Sequence, residues 1–135
     1  MRRMAFLVLL ALVLLLAACG GQSGPKSGDD TAMGDAAAGE ALFVQPLLGN
    51  QAGCSSCHSL EPGVTLVGPS MAQIGTAAET RVPDQSAAEY LRLSIVAPDD
   101  FVVAGFAENL MPATYGNELT EEEISNLVSF LLAQK

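Results

Sequence analysis

Cys54, Ser55, Ser56, Cys57 and His58 form the stretch on which the reading of this 135-residue chain turns. Two thiols three positions apart, followed at once by an imidazole, let one peptide turn bond covalently to both vinyl groups of a haem and set a nitrogen on its iron. Two other chemistries use paired cysteines. A redox dithiol belongs in a βαβ unit, and a structural zinc site needs further Cys or His ligands. Little strand pattern surrounds the motif, His58 is the sole histidine, and Cys19 is the sole other cysteine. The residues therefore favour one haem c, covalent through Cys54 and Cys57, with His58 on the iron.

The length allows one domain once an export signal is set aside. Arg2 and Arg3 precede an apolar run over residues 4–18. At about 15 residues it is shorter than the roughly 20 that span a bilayer, so residues 1–18 read as a signal peptide. The run ends in Leu16, Ala17, Ala18 and Cys19, which resembles the lipobox of bacterial lipoproteins and implies lipidation of Cys19. Cleavage by an ordinary signal peptidase and retention as an uncleaved anchor are the alternatives. Residues 19–34 would then be a lipidated N-terminus and a tether, since from Gly20 to Gly34 the chain is mainly Gly, Ser, Asp and Gln, too polar to bury a core. Such a tether has a root-mean-square span of about 20 Å, and two acyl chains suffice for stable anchoring without a membrane span.

Helix signals flank the motif. Asp35 is an N-cap ahead of Ala36, Ala37 and Ala38, and this helix stops before Pro46. Ser86 with Glu89 and Thr120 with Glu123 make capping boxes. The first opens a helix to about Ala97 whose stripe of Tyr90, Leu91, Ser94 and Ile95 suits either a haem edge or a plain core. The second opens a helix in which Ile124, Leu127, Val128 and Leu131 recur at helical spacing up to Lys135. Between them, residues 59–85 and 99–116 show no clear period. Unstructured stretches of that length do not fit a compact domain unless something other than peptide fills the interior.

Taken together, residues 35–135 resemble the class I c-type cytochromes. The resemblance implies an all-α fold, three to five helices with long loops wrapped around one covalently bound haem. It also implies that Gly39 and Phe43 cross the C-terminal helix, where Phe130 is placed to meet Phe43. Gly68 and Pro69 match the family's Gly-Pro pair, which implies that the Pro69 carbonyl accepts a hydrogen bond from the ligating imidazole and orients it. For the sixth position on iron the choice is between Met71 and Met111. Met71 follows the pair that the family places on the histidine side; Met111 is followed by Pro112, as the family's ligand commonly is. Met111 is the expected ligand, although a methionine is more often core filler. Arg81 and Tyr115 are candidates for the propionates by residue type alone.

A His/Met pair would saturate the iron and leave no open position for oxygen or peroxide, which implies an electron carrier and not an enzyme. The run Ile95, Val96, Pro98, Phe101, Val102, Val103, Gly105, Phe106, Met111 and Pro112 is similar to cytochrome c domains fused to, or working beside, subunit II of haem-copper oxidases. That implies a quinol-oxidising complex as donor and a haem-copper oxidase as acceptor. A five-coordinate haem sensor or peroxidase-type enzyme, and a fixed cytochrome subunit of a larger respiratory or photosynthetic complex, remain as alternatives. All 15 acidic residues follow Cys19, against Lys26, Arg81, Arg92 and Lys135, so the segment after the signal carries 4 − 15 = −11. Such a charge disfavours nucleic acid and anionic lipid. Haem attachment and lipidation both imply export, to the outer face of a bacterial cytoplasmic membrane or its periplasm.

Overall fold

The computed structural model describes residues 34–135; the expected signal peptide, Cys19 and the tether lie outside them. Helix α1 spans Ala36–Phe43, and Asp35 starts it by accepting the backbone N–H groups of Ala37 and Ala38 at 2.8 and 3.2 Å. Two-residue strands β1 (Leu47–Leu48) and β2 (Gln51–Ala52) then form an antiparallel hairpin with Leu47 opposite Ala52. Gly49 takes its turn at φ +58°, a conformation glycine adopts without a Cβ penalty. After the cysteine motif come α2 (Ile74–Ala77), α3 (Ala87–Val96), a 3-10 turn at Pro98–Asp100, α4 (Tyr115–Glu118) and α5 (Glu121–Leu132). Among the described residues five α-helices, two 3-10 turns and one small hairpin are the regular structure, in keeping with an all-α fold.

Helix α5 is the axis. Thr120 and Glu123 cap it reciprocally: the Glu123 N–H donates to the Thr120 hydroxyl at 3.2 Å, and the Thr120 N–H donates to the Glu123 carboxylate at 2.8 Å. Glu121, Glu122 and Glu123 suit the positive end of its dipole. Its Ile124 and Leu127 are the largest fully buried side chains among the described residues. Helices α1, α2 and α3 all pack on it.

The α1–α5 crossing is close because Gly39 has no side chain. A Cβ there would overlap the Asn126 carbonyl oxygen and lie 2.8 Å from the Phe130 Cβ. One turn on, the Phe43 and Phe130 rings meet with centroids 5.4 Å apart at 50°. The Asp35 N–H donates to the buried Asn126 side-chain oxygen at 2.7 Å, which fixes the register of the two helices.

The short elements differ from the sequence reading, which left residues 59–85 and 99–116 irregular and found little strand pattern near the motif. Helix α2 is a single turn held from outside: the Gly75 N–H donates to the Gln134 carbonyl at 2.9 Å, and Lys135 reaches the Gly75 carbonyl at 3.2 Å. Helix α4 grips the hairpin. The Glu118 carboxylate accepts the Asn50 N–H at 2.6 Å and the Gln51 amide at 3.3 Å, contacts that hold its pKa below the ordinary value. At the Ser86 cap the Glu89 N–H donates to the hydroxyl at 3.2 Å, with no return bond from the Glu89 side chain.

Replacing Gly39 by Ala should force the crossing apart and cost about 1–3 kcal/mol, as overpacking does. In a domain of this size that lowers Tm by about 4–8 °C per kcal/mol. Circular dichroism melting of the mature protein checks it; an unchanged Tm would mean the helices do not cross this closely.

Candidate functional site

The hairpin delivers the chain into a 3-10 turn over Cys54–Ser56. The Cys57 and His58 N–H groups both donate to the Cys54 carbonyl, at 3.1 and 2.9 Å, so the pentapeptide is wound into one tight turn. Side chains three and four positions apart on such a turn share a face. Cys54, Cys57 and His58 accordingly line one cavity of about 180 Å³, and both thiols are free.

A backbone carbonyl fixes the imidazole. Nδ1 of His58 lies 2.8 Å from the Pro69 carbonyl oxygen, which can only accept, so Nδ1 carries a proton and in the neutral ring Nε2 keeps its lone pair. Gly68 lies flat against the ring, where a Cβ would overlap Cε1 and stand 2.8 Å from Nδ1. This second segment is laced to the first: the Gly68 N–H donates to the Cys57 carbonyl at 2.9 Å, and the Met71 N–H to the Ser59 carbonyl at 2.7 Å. Ser70 adds a hydroxyl bond to the Glu61 carbonyl at 2.8 Å.

The remaining walls are mainly apolar. Helix α1 contributes Phe43, α5 contributes Leu127 and Leu131, and α3 contributes the whole stripe of Tyr90, Leu91, Ser94 and Ile95. Periodicity left that stripe undecided between cofactor edge and core; three of its members are buried and all face the cavity. Met71 and Met111 both line it too, from different segments. Val67, Phe101 and Leu110 stand on the same walls yet are 52%, 39% and 52% exposed. Apolar side chains turned into a cavity but still wet are completed by a large apolar group, since covering each Å² of such surface gains about 25 cal/mol.

Burial pushes the Cys54 thiol up to about 11, with a smaller contribution from Cys57. A redox dithiol needs a lowered thiol pKa, so this environment speaks against that chemistry. Among the described residues no three His, Cys, Asp or Glu side chains gather to hold a metal ion. Burial also pushes Tyr115 up to about 12, aided by the nearby Cys54 and Cys57. Its hydroxyl donates to the Ala52 carbonyl, which leaves it only an acceptor toward any further group. Arg81 stands on the cavity wall, and the ion pairs among the described residues are Arg92–Glu121 and Lys135–Glu79.

The donor set fits a covalent haem: two free thiols for the attachment bonds, an imidazole with Nε2 free, and apolar walls with uncovered side chains. Sequence reasoning missed the hairpin that leads into the motif. Gly49 and Asn50 between two short runs are a recognised two-residue turn, but runs of two residues carry no alternation.

The model of the family described as Cytochrome c matches residues 36–135. Comparison with curated proteins gives no match.

Gly68→Ala should push the imidazole off the Pro69 carbonyl and cost at least the 1–3 kcal/mol of an unmade buried bond. We expect a lower yield of haem-loaded protein and a lower Tm than wild type. Equal yield and equal Tm would show that the ring is not held between Gly68 and Pro69.

Proposed function

The chain belongs to the cytochrome c family, and from that premise we propose that it is a membrane-anchored carrier of single electrons with His58 and Met111 as axial ligands. The family binds haem c covalently through a cysteine pair, present here as Cys54 and Cys57. Its members generally carry electrons and are typically exported. The bound haem supplies a one-electron couple at iron. The chain supplies what surrounds it.

The observation that carries the proposal is the imidazole held by Pro69 on the wall of a cavity that both cysteines share. The Pro69 carbonyl keeps the proton on Nδ1, which orients Nε2 and raises its basicity as a ligand. Met111 supplies a thioether, which favours ferrous iron and raises the potential. Met71 is the weaker candidate because its backbone is bonded to Ser59, one residue from His58. Phe43, Leu91 and Leu127 give the cavity apolar walls, which would lower the polarity around the couple. A haem held by both His58 and Met111 would offer no site to oxygen or peroxide.

Anchoring through lipid on Cys19 is supported by the lipobox-like Leu16 to Cys19 and by the polar composition after it. Among the described residues no helix is long and apolar enough to cross a membrane. A quinol-oxidising donor and a haem-copper oxidase acceptor are supported by the run from Ile95 to Pro112 and its similarity to oxidase-associated cytochrome domains. A formal charge of −11 after the signal suits a basic docking face on either partner.

Met111→Ala should open a coordination site, admit carbon monoxide and lower the potential by on the order of 100 mV, a fraction of the roughly 0.8 V that axial ligands span. Met71→Ala should do neither and should cost about 2–5 kcal/mol of stability as a buried methionine. Optical spectra with and without carbon monoxide decide it: binding by wild type would favour a five-coordinate sensor or enzyme, and binding only in Met71→Ala would reverse the ligand assignment.

Cys19→Ser should move the protein from the membrane fraction to the soluble one or stall its maturation. Retention of the variant on membranes after a high-salt wash would favour an uncleaved anchor.

A further inference from the structure

Met111 sits at the end of a segment that has few bonds of its own. From Phe101 to Ala113 the backbone makes one backbone–backbone hydrogen bond among the described residues, Phe106 N–H to the Val103 carbonyl at 3.1 Å, and it is internal. Gly105 and Asn109 both turn with positive φ, +94° and +61°. One hydrogen bond reaches this segment from elsewhere: the Asn109 N–H donates to the Asp99 carboxylate at 2.7 Å. The distance is that of a charge-assisted bond. Left-handed Asn109 aims its N–H at that carboxylate, and Leu110 and Met111 follow directly.

Asp99 is itself well founded. It lies in the Pro98–Asp100 turn, where Pro98 is buried and the Asp100 N–H donates to the Ala97 carbonyl at 3.0 Å. That turn continues α3, which packs on α5. Phe101 meets Tyr90 edge-on at the start of this loop, and one hydrogen bond staples its far end to the helical frame, two residues before the methionine.

We propose that Asp99 is the positioning residue for Met111: its bond to the Asn109 N–H sets how often the thioether leaves the sixth site. The inference rests on the reading of Met111 as the axial ligand. The carboxylate touches no iron ligand; it acts on the loop that carries one.

Imidazole added to the ferric holoprotein tests this, because it enters the sixth position only when the methionine has left, and its limiting rate reports the opening. Asp99→Ala should raise that rate about tenfold, the loss of one hydrogen bond to a charged acceptor at an exposed position. Asp99→Asn removes the charge but keeps an oxygen acceptor, so its rate should stay within about threefold of wild type. The charge-transfer band of methionine-ligated ferric haem should weaken in Asp99→Ala and persist in Asp99→Asn. An equal rise in both variants would assign the effect to charge and overturn the staple. An Asp99→Ala rate equal to wild type, while Met111→Ala binds imidazole without a barrier, would overturn it with the ligand assignment intact. Survival of the band in Met111→Ala would remove the ligand assignment and the staple with it. If Asp99→Ala does not load haem, amide exchange in the wild-type ferrous protein decides: an Asn109 N–H that exchanges as freely as an open loop overturns the proposal, and a protected one supports it.

Discussion

Gly39 lies so close to the Asn126 carbonyl that no side chain fits between α1 and α5, and the remaining distances in the domain follow from that crossing. Helix α1 ends at Phe43, against Phe130 of α5, and the hairpin and the cysteine turn follow within a few residues. Helix α5 offers Leu127 and Leu131 to the cavity while Ile124 and Leu127 anchor the core. Helix α3 packs on α5 and carries the Pro98–Asp100 turn, from which the Met111 segment hangs. A wider crossing would separate these walls, and the space between them would no longer match a flat apolar group.

Inside that frame the imidazole is over-determined where the methionine is not. His58 is confined by the winding of its own turn, by the Pro69 carbonyl and by the bare face of Gly68. Met111 stands in a stretch that packs on the core but is hydrogen-bonded to the rest, among the described residues, through a single carboxylate. The two sides of the site therefore differ in how they are fastened: the histidine side is laced to a second loop segment by several hydrogen bonds, the methionine side to the helical frame by one.

The sequence was legible where structure is local. Asp35, Ser86 and Thr120 announce helices because an N-cap side chain bonds to N–H groups two or three residues ahead, and α5 repeats its apolar residues often enough to show a period. The cysteine turn is local in the same sense, since the bonds that wind it, from the Cys57 and His58 N–H groups to the Cys54 carbonyl, fall within five residues. Helices α2 and α4 were illegible because one turn has no period, and what stabilises them lies far off: Gly75 with Gln134, Glu118 with Asn50. The bond of Asp99 to Asn109 is invisible for another reason. An exposed aspartate after a proline reads as a turn former, and nothing in its neighbours says which N–H, ten residues on, it will find.

The grip of α4 on the hairpin makes the intervening chain a closed ring. Tyr115 and Ala52 are 63 positions apart, Glu118 and Asn50 are 68 apart, and the cysteines, His58 and Met111 all lie between. For a ring of that size the entropy of closure varies only with the logarithm of its length, so doubling a flexible loop costs about 0.6 kcal/mol. Gly63 marks a place on the ring where extra length meets no obstacle: it turns at φ +73° with nothing within 4 Å of where a Cβ would be. The fold is thus rigid in its fastenings and permissive in its circumference, and domains built to this plan can lengthen that loop without moving the groups around the cavity.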